Sequence, residues 1–278
     1  MTNDIILTGI ERSGTTLICH LLNKLPDVVA LHEPMKTRKF SKFATREELR
    51  EYIEHYFAKT RKSLKDFGQA ISQHVDGKIP DNTFAGQRPE TGLREFVDVK
   101  GVITIDKPLS DDFILCIKHL GPFTAILENL LDYFPCFAMV RNPLAILASW
   151  NSVDLPVRDG HHPAVEKLDA DLAAALSQIS DRFERQIYLL SWHFEKYLLL
   201  PESAVLRYEN IIESSGKCLT AIQPAANTLN ETLTNMNKNK LYDRDLMQML
   251  GEKLVKSSGA FWKFYPKESV ESLLVCKE

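Results

Sequence analysis

No stretch of the 278-residue chain approaches the ~20 consecutive apolar residues of a membrane-spanning helix. The start, Met-Thr-Asn-Asp, has no basic segment and no small-residue cleavage motif, so no secretory leader is read there. Five cysteines (Cys19, Cys116, Cys136, Cys218, Cys276) are scattered, odd in number and never spaced C-x-x-C. That argues against a disulfide framework and against a zinc site. Neither sign of charge dominates: 34 Lys and Arg stand against 37 Asp and Glu, a net charge of −3. No general attraction to nucleic acid or to an anionic membrane follows, although net charge averages away a local basic pocket. Internal repeats, low-complexity tracts and a clear linker are also missing. These absences leave a soluble cytoplasmic protein as the expectation; an ectodomain cut from a longer chain would begin the same way.

What is present is enough apolar material for a substantial core, 44% of residues. Residues 4–8, Asp-Ile-Ile-Leu-Thr, form a short apolar run closed by Gly9 and read as a buried parallel strand. Leu17, Ile18, Leu21, Leu22 and Leu25 then recur at helical spacing until Pro26. Similar short runs at 28–31, 113–118, 136–140 and 204–208 read as further strands. Helices are expected around 47–60, at 124–133, after the Asn142-Pro143 cap and over 181–200, and the last third reads as mainly helical. Alternation of strands and helices predicts an α/β fold, with a parallel sheet covered on both faces. Residues 76–110 are dense in Gly, Pro, Asn and Asp and read as a long binding or lid segment.

Gly9 and Gly14 bracket a loop between a strand and a helix. That placement aims backbone N–H groups and a helix N-terminus at one point, an anion site. The G-x-x-x-x-G spacing is that of a P-loop, but Thr15 stands where a nucleotide triphosphatase needs lysine. Without that lysine, ATP-driven phosphoryl transfer loses its main fixed charge. Arg12 offers a guanidinium fork instead. A bare strand–helix turn that needs its glycines would read the same way. A second candidate is Arg141, ending an apolar strand, with Ser149 eight residues on in the next helix. The C-terminal end of a strand is where α/β sheets bind ligands. Arg141 pairing with a carboxylate and Ser149 as an ordinary helix residue is the alternative.

Arg12-Ser13-Gly14-Thr15-Thr16 resembles the 5′-phosphosulfate loop of sulfotransferases, particularly the tyrosylprotein, Golgi-carbohydrate and related bacterial types. Arg141 and Ser149 resemble the motif that clamps the nucleotide 3′-phosphate in that family. The resemblance implies a P-loop-like three-layer fold, a central parallel sheet flanked by helices, in a single domain over 1–278. It implies PAPS (3′-phosphoadenosine-5′-phosphosulfate) as cosubstrate and PAP as product, with no metal, because the protein's own cations stand in for Mg²⁺. Residues 205–210, Val-Leu-Arg-Tyr-Glu-Asn, resemble the segment that places Tyr208 near the adenine. Lys256-Ser257-Ser258-Gly259 with Trp262-Lys263 is faintly similar to the loop that cytosolic members fold over the 3′-phosphate, which makes Lys256 a candidate. The Arg-Lys-Gly core of that loop is absent.

An alcohol or phenol acceptor needs a base. Glu33, in Leu31-His32-Glu33-Pro34, resembles the stretch that supplies it in tyrosylprotein and several carbohydrate sulfotransferases. His119 is the rival, because cytosolic members carry their base in a Lys-Thr-His stretch; Lys118-His119 lacks the middle residue. His32 is a third option. Lys118 resembles the lysine that neutralises charge on the sulfuryl group. The expected function is transfer of a sulfuryl group from PAPS to an acceptor hydroxyl on a sugar, lipid, peptide or small molecule. Residues 35–110 and 152–175 are expected to frame the acceptor cleft. The His161-His162 pair is read as loop surface, since adjacent histidines point apart. An ATP-dependent kinase and a non-catalytic nucleotide-binding protein are the alternatives.

Overall fold

The computed structural model describes residues 3–84 and 92–274. Five parallel strands make the central sheet: β1 (Asp4–Gly9), β2 (Val28–His32), β5 (Ile114–Lys118), β6 (Cys136–Val140) and β7 (Val205–Arg207). Their spatial order is β2-β5-β1-β6-β7. β1 thus runs through the middle, and the chain goes out to one edge before crossing back to the other. Every residue of β2 and all but the first of β1 are buried. Lack of in–out alternation is the signature of a sheet covered on both faces, and the α/β, P-loop-like three-layer expectation holds.

Among the described residues, eleven α-helices accompany the sheet: α1 (Thr15–Leu22), α2 (Arg46–Phe67), α3 (Gly121–Ala125), α4 (Leu127–Leu130), α5 (Pro143–Trp150), α6 (Pro163–Glu166), α7 (Ala170–Ser177), α8 (Arg182–Tyr197), α9 (Tyr208–Glu213), α10 (Arg244–Lys256) and α11 (Lys267–Leu274). α1 packs on β1, β2 and β5, and α3 packs on β1. α5 touches α8, α10 and α11. The local signals act as expected where they are strong. Asn142 Oδ1 accepts from the N–H groups of Leu144 (3.0 Å) and Ala145 (3.4 Å), and Pro143 fills the first turn. Among the described residues, no helix is long and apolar enough to cross a membrane.

Register fixes the site. His32 pairs with Lys118 across β2–β5, Leu7 pairs with Lys118 across β1–β5, and Gly9 pairs with Met139 across β1–β6. The C-terminal ends of four adjacent strands therefore lie together, and the residues just beyond them face one crevice.

Three local expectations change. The helix read over 124–133 is two short ones, α3 and α4, broken at Ile126. Tyr208 begins α9 rather than ending a strand. Most importantly, the segment read as a loop over 76–110 contains β4 (Val99–Thr104), which pairs antiparallel with β3 (Gln69–His74). Asp98, Lys100 and Gly101, all poor strand formers, hid that strand, which depends on cross-strand pairing rather than on its own propensity. Ser72 docks the ribbon on the sheet: the His32 N–H donates to its Oγ (2.9 Å).

Candidate functional site

The crevice holds a cavity of about 550 Å³, lined from every strand end named above. Glu11, Arg12, Gly14, Thr15 and Thr16 come from the β1–α1 loop, Glu33 follows β2, Lys118 and His119 end β5, Arg141 ends β6 and Tyr208 follows β7. Segments on either side close it: Thr37, Gln73, Asn82, Phe84, Arg94 and Phe96 from one, Leu155, His162 and Ala164 from the other. Parts of 35–110 and of 152–175 thus do face the cavity.

The β1–α1 loop is tightly specified. At Gly9 a Cβ would lie 2.8 Å from the Met139 carbonyl oxygen, so only glycine lets the chain pass beneath β6. Gly14 has φ +97°, and a Cβ there would lie 2.8 Å from the Tyr208 ring. Ser13 is turned inward, its hydroxyl donating to the carbonyls of Ile10 (2.7 Å) and Met139 (3.1 Å). It braces the loop and does not line the cavity. Trp150 Nε1 donates to the Glu11 carbonyl (2.8 Å), a second brace. The amide groups of the first turn of α1 have no intrahelical acceptor, and Gly14 offers no side-chain cap. They are the anion donors that the loop provides.

One half of the cavity is a cationic cluster. Arg12, in the left-handed region at φ 71°, sends Nε to Ser149 Oγ (3.2 Å) and both terminal nitrogens to Asn82 Oδ1 (3.2 Å each). Its guanidinium lies 4.5 Å from the Phe84 ring centroid. Arg94 reaches Ser152 Oγ (2.8 Å) and Ser149 Oγ (3.5 Å). Arg141 bonds Asn237 Oδ1 (2.7 Å), the Arg12 carbonyl (3.0 Å) and the Tyr242 hydroxyl (3.4 Å), and stacks over Tyr208 at 4.5 Å. Among the described residues, no carboxylate forms an ion pair with Arg12 or Arg141. Burial pushes Arg12 down to about 9, with Arg94 and Arg141 adding repulsion. Burial raises the Tyr242 phenol, but Arg141, Ser149 and Arg12 outweigh it and hold it below its ordinary value.

The other half is charge-paired. Lys118, only 1% exposed, donates to Glu33 Oε1 (3.0 Å). Glu33 adopts a left-handed backbone at φ 48°, and its N–H donates to the Lys118 carbonyl (2.9 Å). Non-glycine residues held in that region cost about 1–3 kcal/mol each and cluster at functional sites. Burial opposes ionisation of Glu33, yet Lys118 and His32 outweigh it and hold the carboxyl well below its usual range. His119 Nε2 accepts the Met35 N–H at 3.0 Å, and burial pushes its ring down to about 3. That nitrogen is therefore occupied, which disfavours His119 as the base. Beneath the loop, Glu11 is bonded to His162 Nε2 (2.8 Å), and its second oxygen lies 3.4 Å from His193 Nε2. Burial opposes the charge on both Glu11 and His162, but their attraction wins, lowering the acid and raising the histidine.

The structure thus brings together Arg12, Gly14, Thr15, Thr16, Glu33, Lys118, His119, Arg141 and Tyr208 around the cavity, with Ser149 behind Arg12. Ser149 is bonded to Arg12 and Arg94 rather than to Arg141, so the two motifs meet in one cluster instead of standing apart. Lys256 lies outside: it is exposed on the last turn of α10, whose apolar face packs on α5. The histidine pair divides. His161 is half-buried and faces Glu166, whereas His162 is turned inward onto Glu11, because Val153, Val157 and Val165 anchor the segment in the core. Arg94, Asn82, Phe84, Asn237, Tyr242, Glu11 and His162 escaped the sequence reading, since each is recruited by tertiary contact from a segment with no spacing pattern. Only Glu11 and His162, next to residues already singled out, carried any signal. Among the described residues, no group of His, Cys, Asp and Glu is placed to hold a metal. Compared with protein-family models and with curated protein sequences, the chain matches none.

Proposed function

We propose that this protein is a PAPS-dependent O-sulfotransferase. The observation that carries the proposal is the cluster of buried Arg94 and Arg141 with half-buried Arg12, beside a phosphate loop without its lysine, in which Arg12 and Arg141 have no carboxylate counterpart among the described residues. Buried like charges repel and lose hydration, so a site of this kind is relieved by an anionic ligand brought from outside. A nucleotide with phosphates at both 5′ and 3′ positions supplies two anionic groups for the two ends of the cluster. In this reading the α1 N-terminus and Arg12, braced from behind by Ser149, hold the 5′ group, Arg141 holds the 3′-phosphate, and Tyr208 lies against the nucleoside.

Glu33 then removes the proton of an acceptor hydroxyl as the sulfuryl group transfers. Its ion pair with Lys118 makes it a weak base at rest. Once Lys118 turns toward sulfuryl oxygens, the carboxylate loses that stabilisation and its proton affinity rises. Lys118 and Arg12 neutralise charge on the transferring group and the leaving oxygen. The acceptor, a sugar, lipid, peptide or small molecule, enters beside Thr37, Phe96 and Leu155, and the enzyme works in the cytoplasm.

The test compares PAP with Mg-ATP by thermal shift and calorimetry on the intact protein, because a ligand that binds only the folded state raises the melting temperature. PAP is expected to stabilise the protein and Arg141→Ala to abolish that effect. Stabilisation by Mg-ATP alone sinks the proposal in favour of a kinase. PAP binding without transfer of labelled sulfate to any acceptor pool identifies a non-catalytic nucleotide-binding protein.

A further inference from the structure

Behind Glu33 lies a buried acid–base pair that the proposed chemistry has not used. His32 ends β2 and is 2% exposed; the Asp98 side chain, at the entrance to β4, is fully buried. His32 Nδ1 stands 3.4 Å from Asp98 Oδ2, and on the opposite side of the ring Nε2 stands 3.6 Å from Glu33 Oε1. Among the described residues, His32 Nδ1 and both Asp98 oxygens have no hydrogen-bond partner, so the 3.4 Å contact is a close approach of two groups that each still want one. The ring is held in place: the His32 N–H donates to Ser72 Oγ, and β2 pairs with β5 on its other side. A buried carboxylate with two unsatisfied oxygens is costly unless it serves a partner, and the His32 ring is the partner within reach.

We infer that Asp98 and His32 form a proton-accepting pair behind Glu33, which orients the Glu33 carboxylate and draws off the proton that Glu33 removes from the acceptor. The inference rests on the reading of Glu33 as the base. The proton count supports it. A neutral His32 with its proton on Nδ1, facing Asp98, presents a lone pair on Nε2 to Glu33. The line Glu33–His32–Asp98 is then one proton short, and the missing position is the contact between Glu33 and His32. When the acceptor O–H bond breaks and the oxygen–sulfur bond forms, PAP leaves with the electrons of its own oxygen–sulfur bond. The proton goes to Glu33, passes to Nε2, and is shared by His32 and Asp98 until product release.

The surrounding charges favour that direction. Burial, then Lys118, push His32 down to about 4, and burial raises Asp98 to about 6. Lys118 from β5 holds Glu33 lower still when the two are paired, so the proton moves on to the pair as Lys118 returns to Glu33. Lys100 is a further lowering influence on the ring and Glu33 an opposing one; His119 also lies close by. Asp98 and His32 are positioning residues: neither lines the reacting end of Glu33.

The experiment is side-chain ¹⁵N NMR of the full chain labelled at histidine, with the His32 signals assigned from His32→Asn, followed through pH with and without PAP. In wild type His32 is expected as the Nδ1–H tautomer, titrating well below an ordinary histidine. Asp98→Asn is expected to flip it to the Nε2–H tautomer facing Glu33 and to lower its proton affinity at least tenfold. Glu33→Gln is expected to move the Nε2 signal while leaving the proton on Nδ1. Asp98→Ser provides a second variant if the amide is not tolerated, with amide dispersion reporting folding. An unchanged tautomer and titration in folded Asp98 variants overturns the inference, as does a wild-type His32 that is Nε2–H. If the tautomer flips but PAP perturbs no signal, the linkage stands and the sulfotransferase reading fails.

Discussion

The two halves of the cavity solve opposite electrostatic problems. Around Ser149, Arg12 and Arg141 face inward without carboxylates among the described residues, and their donors are satisfied by neutral groups: Asn82, Asn237, Tyr242 and a backbone carbonyl. Around Glu33, acids stand beside their partners: Lys118 with Glu33, His162 with Glu11, and the His32 ring between Glu33 and Asp98. Uncompensated charge in a protein interior is destabilising, so the first half is shaped for a ligand that brings its own negative charge. The second half holds its charges in close pairs. Binding and proton transfer are thereby assigned to separate residues, and substitutions should separate them too.

The largest expected effect is on turnover. Glu33→Gln should lower sulfuryl transfer from labelled PAPS to an identified acceptor by about 10²- to 10⁴-fold, the usual contribution of a positioned base, while calorimetry finds PAP affinity unchanged. Near-full activity in that variant, with His119→Ala inactive, would break the division and move the base to His119. Next comes the arginine half. Arg141→Ala should weaken PAP by about 10- to 100-fold, as expected for lost hydrogen bonds to a charged group. An equal loss of affinity in Glu33→Gln would show that the halves are not separate.

A smaller effect concerns the loop that joins them. Gly14→Ala places a side chain at φ +97° and against the Tyr208 ring. The strain should cost about 1–2 kcal/mol in a urea denaturation midpoint, with weaker PAP binding because Tyr208 must move. The smallest effect is a pH dependence in the paired half. Asp98 is raised by burial to about 6, so the folded state binds its proton more tightly than the unfolded chain does. The stability it contributes is full below its unfolded value and is lost as pH rises through about 6. His32, lowered to about 4, acts oppositely, its stability being lost as pH falls through that value. Asp98→Asn removes the first dependence and moves the second further below about pH 4. Its melting temperature should therefore gain on wild type between roughly pH 4.5 and pH 7.5 in a thermal scan. A constant difference across that range would show that Asp98 is not shifted.

Much of the arginine half and of Glu33's surroundings could be read from sequence, because the signals were local. A glycine-bracketed turn after an apolar run, an arginine at a strand end and a glutamate before proline are each defined within a few residues. The reading failed where a residue's role depended on distant partners. Ser149 was assigned to Arg141 by spacing along one helix, but Arg12 and Arg94 reach it from across the cavity. Lys256 had a plausible neighbourhood in sequence and an exposed helix face in space. His162 looked like surface because its loop is rich in turn residues, yet three valines pin that segment inward.

By itself the sequence determined the order of buried strands, the closed turn at Gly9–Gly14 and the absence of the triphosphatase lysine, since short-range sterics and hydrophobic runs specify these directly. Only the tertiary structure decided which charges are paired. Arg94, Asn237 and Tyr242 join Arg12 and Arg141 from segments far apart in the chain, and Asp98 comes behind His32 only because β3 and β4 fold onto the end of β2. The physical reason is that a pairing energy depends on distance and burial, and neither is a property of a residue's place in the chain.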